Sequence, residues 1–391
     1  MTAHSEDTPH RGSRAALRQL SAAAACFGGA FMITPATASS APPATPFDAN
    51  NVFSWERQTD LPDPVGWKGM YAGVTEGRVL LAGGSNFPVH PRDGGRKVLS
   101  RQILMRPINA ASEGKWIVAT ETLPGGQAEG ATVSIDAGVL MVGGVGESGP
   151  VADVFLLRWD SGLSAVKIRS LPPLPVPCAS PAAVQWGGQI FVAGGEKDGR
   201  GLDRFWSLDI AAALGGEPTA NWKVLPSWPG PPRFGAVLAA LEVNRREHVF
   251  LFGGKVKTTG AVLADYLNDG HRYDPVAGQW TALSAMPHPA VQAGSIELGS
   301  ARLAILGGSD GHDLDRIAEL GERYRLPDRI MIYDANSDRW SSGGKMPLGV
   351  VAPAVVELGQ DWLLAGGEYS PGLRTVEVYR VKMITAAVTK W

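Results

Sequence analysis

The 391-residue sequence predicts an all-β chain folded as a six-bladed β-propeller, and three observations predict it. First, an apolar run ending in Gly-Gly recurs six times: "VLLAGG" (79–84), "VLMVGG" (139–144), "IFVAGG" (190–195), "VFLFGG" (249–254), "LAILGG" (303–308) and "WLLAGG" (362–367). Their Gly pairs lie 60, 51, 59, 54 and 59 residues apart. Second, each run has the same kinds of neighbour, a half-apolar run before it and a polar loop and further strand after it. Third, 49 Gly and 29 Pro make about a fifth of the chain. With no Gly-X-Y period, that excess means many tight turns between short strands and excludes collagen.

Taken in order, each repeat supplies four strands, a to d from inside to outside. Strand a is the half-apolar run, as in "GATVSI", "PAAVQW", "GAVLAAL", "AGSIEL" and "APAVVEL". Strand b is the Gly-Gly run, short and apolar enough to be buried on both faces. Its glycines admit positive φ and leave room where strands crowd. Strand c follows a polar loop, as in "DVFLLRW", "RFWSLDI", "RIMIYD" and "VEVYRV". Strand d opens on Trp116, Trp222, Trp280 and Trp340, with Leu-Pro or Met-Pro soon after; the second repeat has Lys167-Ile168 instead. One such meander cannot bury both its faces, whereas six around an axis can. This is a kelch-type propeller. A βαβ fold would need long amphipathic helices that are missing, and the turn chemistry is too regular for two unrelated domains. "FSWERQTDLP" (53–62) is a strand d without a preceding Gly-Gly run, so it is expected to complete the last blade. Trp391 stands at a competing offset.

Charged residues are 19% and the formal net charge is −2, so nothing attracts nucleic acid. Arg11, Arg14 and Arg18 precede an apolar stretch from Leu20 to about Ile33, then Ala36-Thr37-Ala38. Residues 1–38 therefore read as a secretory signal peptide, 39–50 as a linker and 51–391 as the propeller. A periplasmic or secreted chain without membrane attachment after cleavage is expected. Cys26 leaves with the leader, and Cys178 reads as a small buried filler, since "PVPCASP" offers no local base.

Topology restricts where a site can lie. In a meander, the b–c loops and d–a connections share one end of the ring. That mouth receives Asn86, His90, Arg92, Glu147, Glu196, Lys197, Arg200, Lys255, Lys257, Asp310, His312, Asp313, Glu368 and Arg374 from the b–c loops. The d–a connections add Glu129, Arg233, His288 and Gln292. Convergent charges over a central cavity are the default site. Glu147, Lys197, Lys257 and Asp313 read as solvated loop charges. Arg233, in "GPPRFGA", fits structural pairing and ligand binding equally. "DGHDLD" around His312 lacks the spacing and terminal Glu of a calcium loop, so no metal is expected. Residues 311–329 form a long insertion, a candidate lid.

"LAGGSNFP", "VGGVGESGPVADVFLL", "PPRFGAV" with "FLFGG", and above all "GGEYSPGLRT" carry a resemblance. They make the chain similar to the N-acetylneuraminate epimerases, or sialic acid mutarotases, with its blades in cyclically permuted order. The resemblance implies exchange of the α and β anomers of N-acetylneuraminate, or a closely related sugar acid, by general acid–base catalysis without cofactor or metal. It implies Glu368 as catalytic base and Arg374 as its partner, which either holds the substrate carboxylate or keeps Glu368 ionised. Asn86 and Arg233 are the candidate substrate-binding residues. A non-catalytic kelch propeller that binds a glycan or protein is the alternative. A copper radical oxidase is the weaker one, because Cys178 has no Tyr near it in sequence. The oligomeric state is not legible.

Overall fold

The computed structural model describes residues 51–109, 114–257 and 264–384. The signal peptide and linker read at residues 1–38 and 39–50, and Trp391, lie outside the described residues. The described chain is nearly all β, and its four-stranded antiparallel sheets number six, as the repeats require. The innermost strands are Tyr71–Thr75, Ala131–Ile135, Ala182–Trp186, Val237–Val243, Gly294–Glu297 and Ala354–Glu357, in blades 1 to 6. Each touches the next around a closed ring. The Gly-Gly runs form the second strands, as their uniform apolarity demands. The last blade takes Phe53–Arg57 as its outermost strand, paired antiparallel with Val378–Met383 from Phe53↔Met383 to Arg57↔Tyr379. The N-terminal strand therefore closes the ring.

The core lies between blades. Six apolar clusters each join one blade to its neighbour, such as Leu140, Val142 and Val154 of blade 2 against Ile190, Val192 and Trp206 of blade 3. The strand-d tryptophans add polar ties. Trp116, Trp222, Trp280 and Trp340 each donate Nε1–H to a carbonyl of the preceding blade's edge, at Thr59, Pro172, Pro226 and Ser284.

The Gly pairs are inter-blade staples. The first glycine of every pair has φ between 59° and 67°, the second between 83° and 118°. The second donates its N–H to a carbonyl on the next blade's d–a connection, as in Gly144 to Cys178, Gly195 to Arg233 and Gly367 to Trp67. That carbonyl also fills the space where a side chain on the first glycine would go. A Cβ on Gly366 would stand 2.6 Å from the Trp67 oxygen, at a φ of +63°. Gly366→Ala is expected to cost about 3 kcal/mol, from left-handed strain and backbone overlap together. Urea unfolding checks this, and an unchanged midpoint would refute the staple.

At the mouth, a second ring completes the frame. Gly69, Glu129, Ser180, Gly235, Gln292 and Ala352, one per blade, form a closed circle of backbone hydrogen bonds. Each donates N–H to the carbonyl of the preceding blade's member, at 2.6–2.9 Å. All six are left-handed, with φ of 47–65°, although only two are glycine. The circle of bonds holds the other four where isolated residues would resist.

Candidate active site

The b–c loops rise from this frame as short hairpins. The residue after each Gly pair is bridged to the d–a connection of its own blade: Ser85 to Lys68, Val145 to Ala128, Glu196 to Ala179, Lys255 to Phe234, Ser309 to Val291 and Glu368 to Val351. These six positions are equivalent by the repeat and encircle the mouth. Glu368 and Arg374 face each other in one hairpin, Glu368–Ser370 against Leu373–Arg374, turned by Pro371-Gly372.

The Pro-Gly turn closes the hairpin, and the His90 ring and Pro91 occupy the space beside Gly372, at φ +84°. Arg374 Nη1 contacts Glu368 Oε2. The guanidinium is buried, with its side chain 2% exposed, whereas the Glu368 side chain is 17% exposed. Its Nε reaches the Ser85 carbonyl at 3.4 Å, and its Cζ lies 4.8 Å from the centre of the Phe87 ring. Burial pushes the Arg374 guanidinium below its ordinary value, while Glu368 and Glu129 oppose that. The carboxylate is thus the more exposed partner of the pair and the cation the buried one.

Asn86 is buried in the adjoining hairpin, Ser85–Asn86 against Val98–Leu99. Its Oδ1 and the neighbouring Ser85 Oγ are buried without a hydrogen-bond partner. These orphaned acceptor groups lie in the hairpin whose carbonyl receives Arg374.

Arg233 is not at the open face. It is fully buried and pairs bidentately with Asp269, both contacts at 2.7 Å. It also donates to the Gly253 carbonyl at 3.0 Å and lies 5.4 Å from the Trp228 ring. Burial alone would raise the Asp269 carboxyl; hydrogen bonds from His271 and Arg233 hold it well below the usual range. Of the two readings open for Arg233, the geometry supports structural pairing, because no face of the guanidinium is left for a ligand.

Residues 311–329, the candidate lid, pack against the d–a connection of blade 6. Their Tyr324 and Leu326 pack on Val351, with Leu314, Ile317 and Leu320 against them. Val351 exchanges both backbone hydrogen bonds with Glu368, at 2.9 and 3.0 Å. Asp310 and Arg329 pin the ends at 2.8 Å. His312 contacts Asp313 at 2.7 Å, and Asp313 also pairs with Arg316. Among the described residues, no group of three His, Cys, Asp or Glu stands placed to hold a metal. Cys178 is buried, and burial pushes its thiol up to about 12, as suits a filler.

The axis carries a feature the sequence reading only half located. Gln292 Nε2 reaches over from blade 5 to Ser180 Oγ at 2.9 Å and Glu129 Oε2 at 3.4 Å. Lys97 Nζ meets Glu129 Oε1 at 3.0 Å. These side chains cross the ring and bound the mouth from below. A cavity of about 460 Å³ lies beyond them along the axis, lined by Gly130, Ala182, Ala236, Ala293 and other strand-a residues. The charged groups therefore stand on one side of the ring and this cavity on the other.

Lys68, above all, and Lys97 hold the Glu129 carboxyl at about 2 against the effect of burial. A depressed carboxylate stabilises the fold above its ordinary value, near 4.5, and that contribution disappears as pH falls toward about 2. Between those limits the native chain is expected to lose on the order of 3 kcal/mol more than Glu129→Gln. Denaturant unfolding at stepped pH measures this, and parallel profiles would refute it. Lys68 and Lys97 were missed in the sequence. For Lys68 the signal existed: it holds the same repeat position as Ala128, Ala179, Phe234, Val291 and Val351.

No protein-family model matches the chain. Curated proteins do. An N-acetylneuraminate epimerase of Haemophilus influenzae (strain PittEE) is 27% identical over 247 residues, covering 57% of this chain and 62% of the relative. One of Brucella melitensis biotype 1 is 29% identical over 255 residues, 58% of this chain and 62% of the relative. The chain is a homologue of proteins named N-acetylneuraminate epimerase. A third, from Yersinia enterocolitica serotype O:8, is 29% identical over 189 residues, 42% of this chain and 47% of the relative. The chain thus spans less than two thirds of the length of these epimerases, while its own six blades form the propeller their resemblance implied.

Proposed function

We propose that the protein is a mutarotase acting on N-acetylneuraminate or a closely related acidic sugar, with Glu368 as the acid–base group. The observation that carries this reading is the Glu368 carboxylate, open to the mouth, with Arg374 buried against it. The names of the homologues supply the substrate class. A rotated blade order accounts for a linear match that stops short of two thirds of the relatives.

Anomer exchange needs one proton moved twice. Glu368 takes the proton of the anomeric hydroxyl as the bond from anomeric carbon to ring oxygen breaks. The anomeric carbon becomes a ketone, and the carboxyl returns the proton to the former ring oxygen. The carbonyl turns, and closure on its other face reverses both transfers. Such a positioned group contributes about 10²–10⁴-fold. Arg374 holds the carboxylate in place and offsets its charge. Every step uses groups of this chain and the sugar alone.

Proton NMR of freshly released α-N-acetylneuraminate, with and without the purified protein, tests the reading. Faster appearance of the β anomer is expected; conversion at the buffer rate would overturn it. With residues 1–38 read as a leader, the enzyme would work in the periplasm or outside the cell, which N-terminal sequencing of the exported chain checks.

A further inference from the structure

An acidic sugar needs a cation for its carboxylate, and the mouth has already committed two. Arg374 is in contact with Glu368 and Lys97 with Glu129. Two remain. Lys255 holds the position in blade 4 that Glu368 holds in blade 6, directly after the Gly pair and bridged to the d–a connection. Lys68 stands on the d–a connection of blade 1, the blade opposite blade 4 in a ring of six. Neither ammonium is in direct contact with a carboxylate among the described residues, and Lys68 acts on Glu129 from a distance. Lys255 Nζ lies 5.2 Å from the Phe234 ring and 5.7 Å from the Tyr266 ring, so aromatic faces steady it without accepting its hydrogens. Tyr266 is itself backed by Gly311, where a Cβ would stand 2.7 Å from the ring.

The electrostatics agree. Burial, then Lys68, push the Lys255 ammonium below its ordinary value, while Glu129, Glu196 and Glu368 hold it up. Two like charges that disfavour each other across a partly dry mouth are a place where an anion is welcome. A carboxylate set between them would gain charge-assisted hydrogen bonds, relieve that repulsion, and leave the sugar ring spanning toward Glu368.

The geometry points to Lys255, faced by Lys68, as the anchor for the substrate carboxylate and so the residue that selects acidic over neutral sugars. This rests on the mutarotase reading above. It also gives Arg374 one of its two candidate roles, partner of Glu368, and moves the other to a different blade.

The test compares N-acetylneuraminate with its uncharged methyl ester. In the wild-type protein, kcat/KM should favour the acid. Lys255→Met should lower the acid-to-ester ratio about 10- to 100-fold, chiefly through KM for the acid. Lys255→Arg should keep most of the preference, and Lys68→Met should shift it the same way as Lys255→Met. A ratio unchanged in Lys255→Met, or acid and ester impaired equally, would overturn the anchor while leaving the mutarotase intact. Should the wild-type protein turn over neither, calorimetry with the same two compounds decides separately. Binding of the acid, lost in Lys255→Met, upholds the anchor without the reaction; equal binding of acid and ester, or none, overturns it.

Discussion

Glu368→Gln is expected to slow anomer exchange of N-acetylneuraminate by about 10²–10⁴-fold, nearly to the rate in buffer. The substitution is nearly isosteric. Gln keeps an oxygen to accept from Arg374, so the hairpin and its buried guanidinium retain their contact. What it lacks is a carboxylate able to take a proton. The loss should therefore appear in kcat, with KM for the acid moved far less, because the proposed carboxylate anchor stands on other blades. Circular dichroism and the unfolding midpoint should stay close to wild type. Activity within a fewfold of wild type would remove Glu368 as the base. The next candidate would then be Glu196, which holds the same repeat position in blade 3, opposite blade 6.

The reasons this site was legible, and the places where it was not, are physical. Gly-Gly runs announce strands because two successive left-handed residues in an apolar run have few other uses. Six of them fix the blade count, and the meander then dictates which loops share a mouth. That is enough to bring Glu368, Arg374 and Asn86 together from positions far apart in sequence. The pairing of Arg233 stayed open in the sequence because its partner, Asp269, lies on the c-strand side of blade 4, where spacing gives no hint of a bidentate pair. The ring of left-handed residues was hidden for the opposite reason. Glu129, Ser180, Gln292 and Ala352 are not the glycines that positive φ normally selects. Their conformation comes from bonds around the whole circle, a property of the closed ring that no single segment displays. Lys97 was hidden because a loop of glycines and charges has no period to orient its side chains.

Removing residues before Gln58 is expected to abolish the closed propeller, because they supply the outer strand of the blade at which the two ends of the ring meet. Phe53–Arg57 supplies the last blade's outer strand, and Val52 continues the join with bonds to the Gly343 carbonyl at 3.1 Å and from the Ile384 N–H at 2.8 Å. Val52 and Phe53 are each 3% exposed and share a cluster with Ile330, Leu364 and Trp362. Burying each such side chain contributes roughly 1.5–3 kcal/mol. The Phe53–Trp362 edge contact, with centroids 6.4 Å apart, adds about 0.5–1.5 kcal/mol. The backbone ladder comes on top, against a net stability of about 5–15 kcal/mol for a typical domain. The milder Phe53→Ala should cost about 3–5 kcal/mol and lower Tm without changing the fold. Both variants bear on the site, because the strand completes the blade that presents Glu368 and Arg374. Opening the seam between blades 6 and 1 would also part Arg374 from the Ser85 carbonyl and Phe87. Turnover should therefore fall with the folded fraction as temperature rises, and at a lower temperature in Phe53→Ala than in wild type. A truncated chain that unfolded at the wild-type temperature would show that another segment closes the ring.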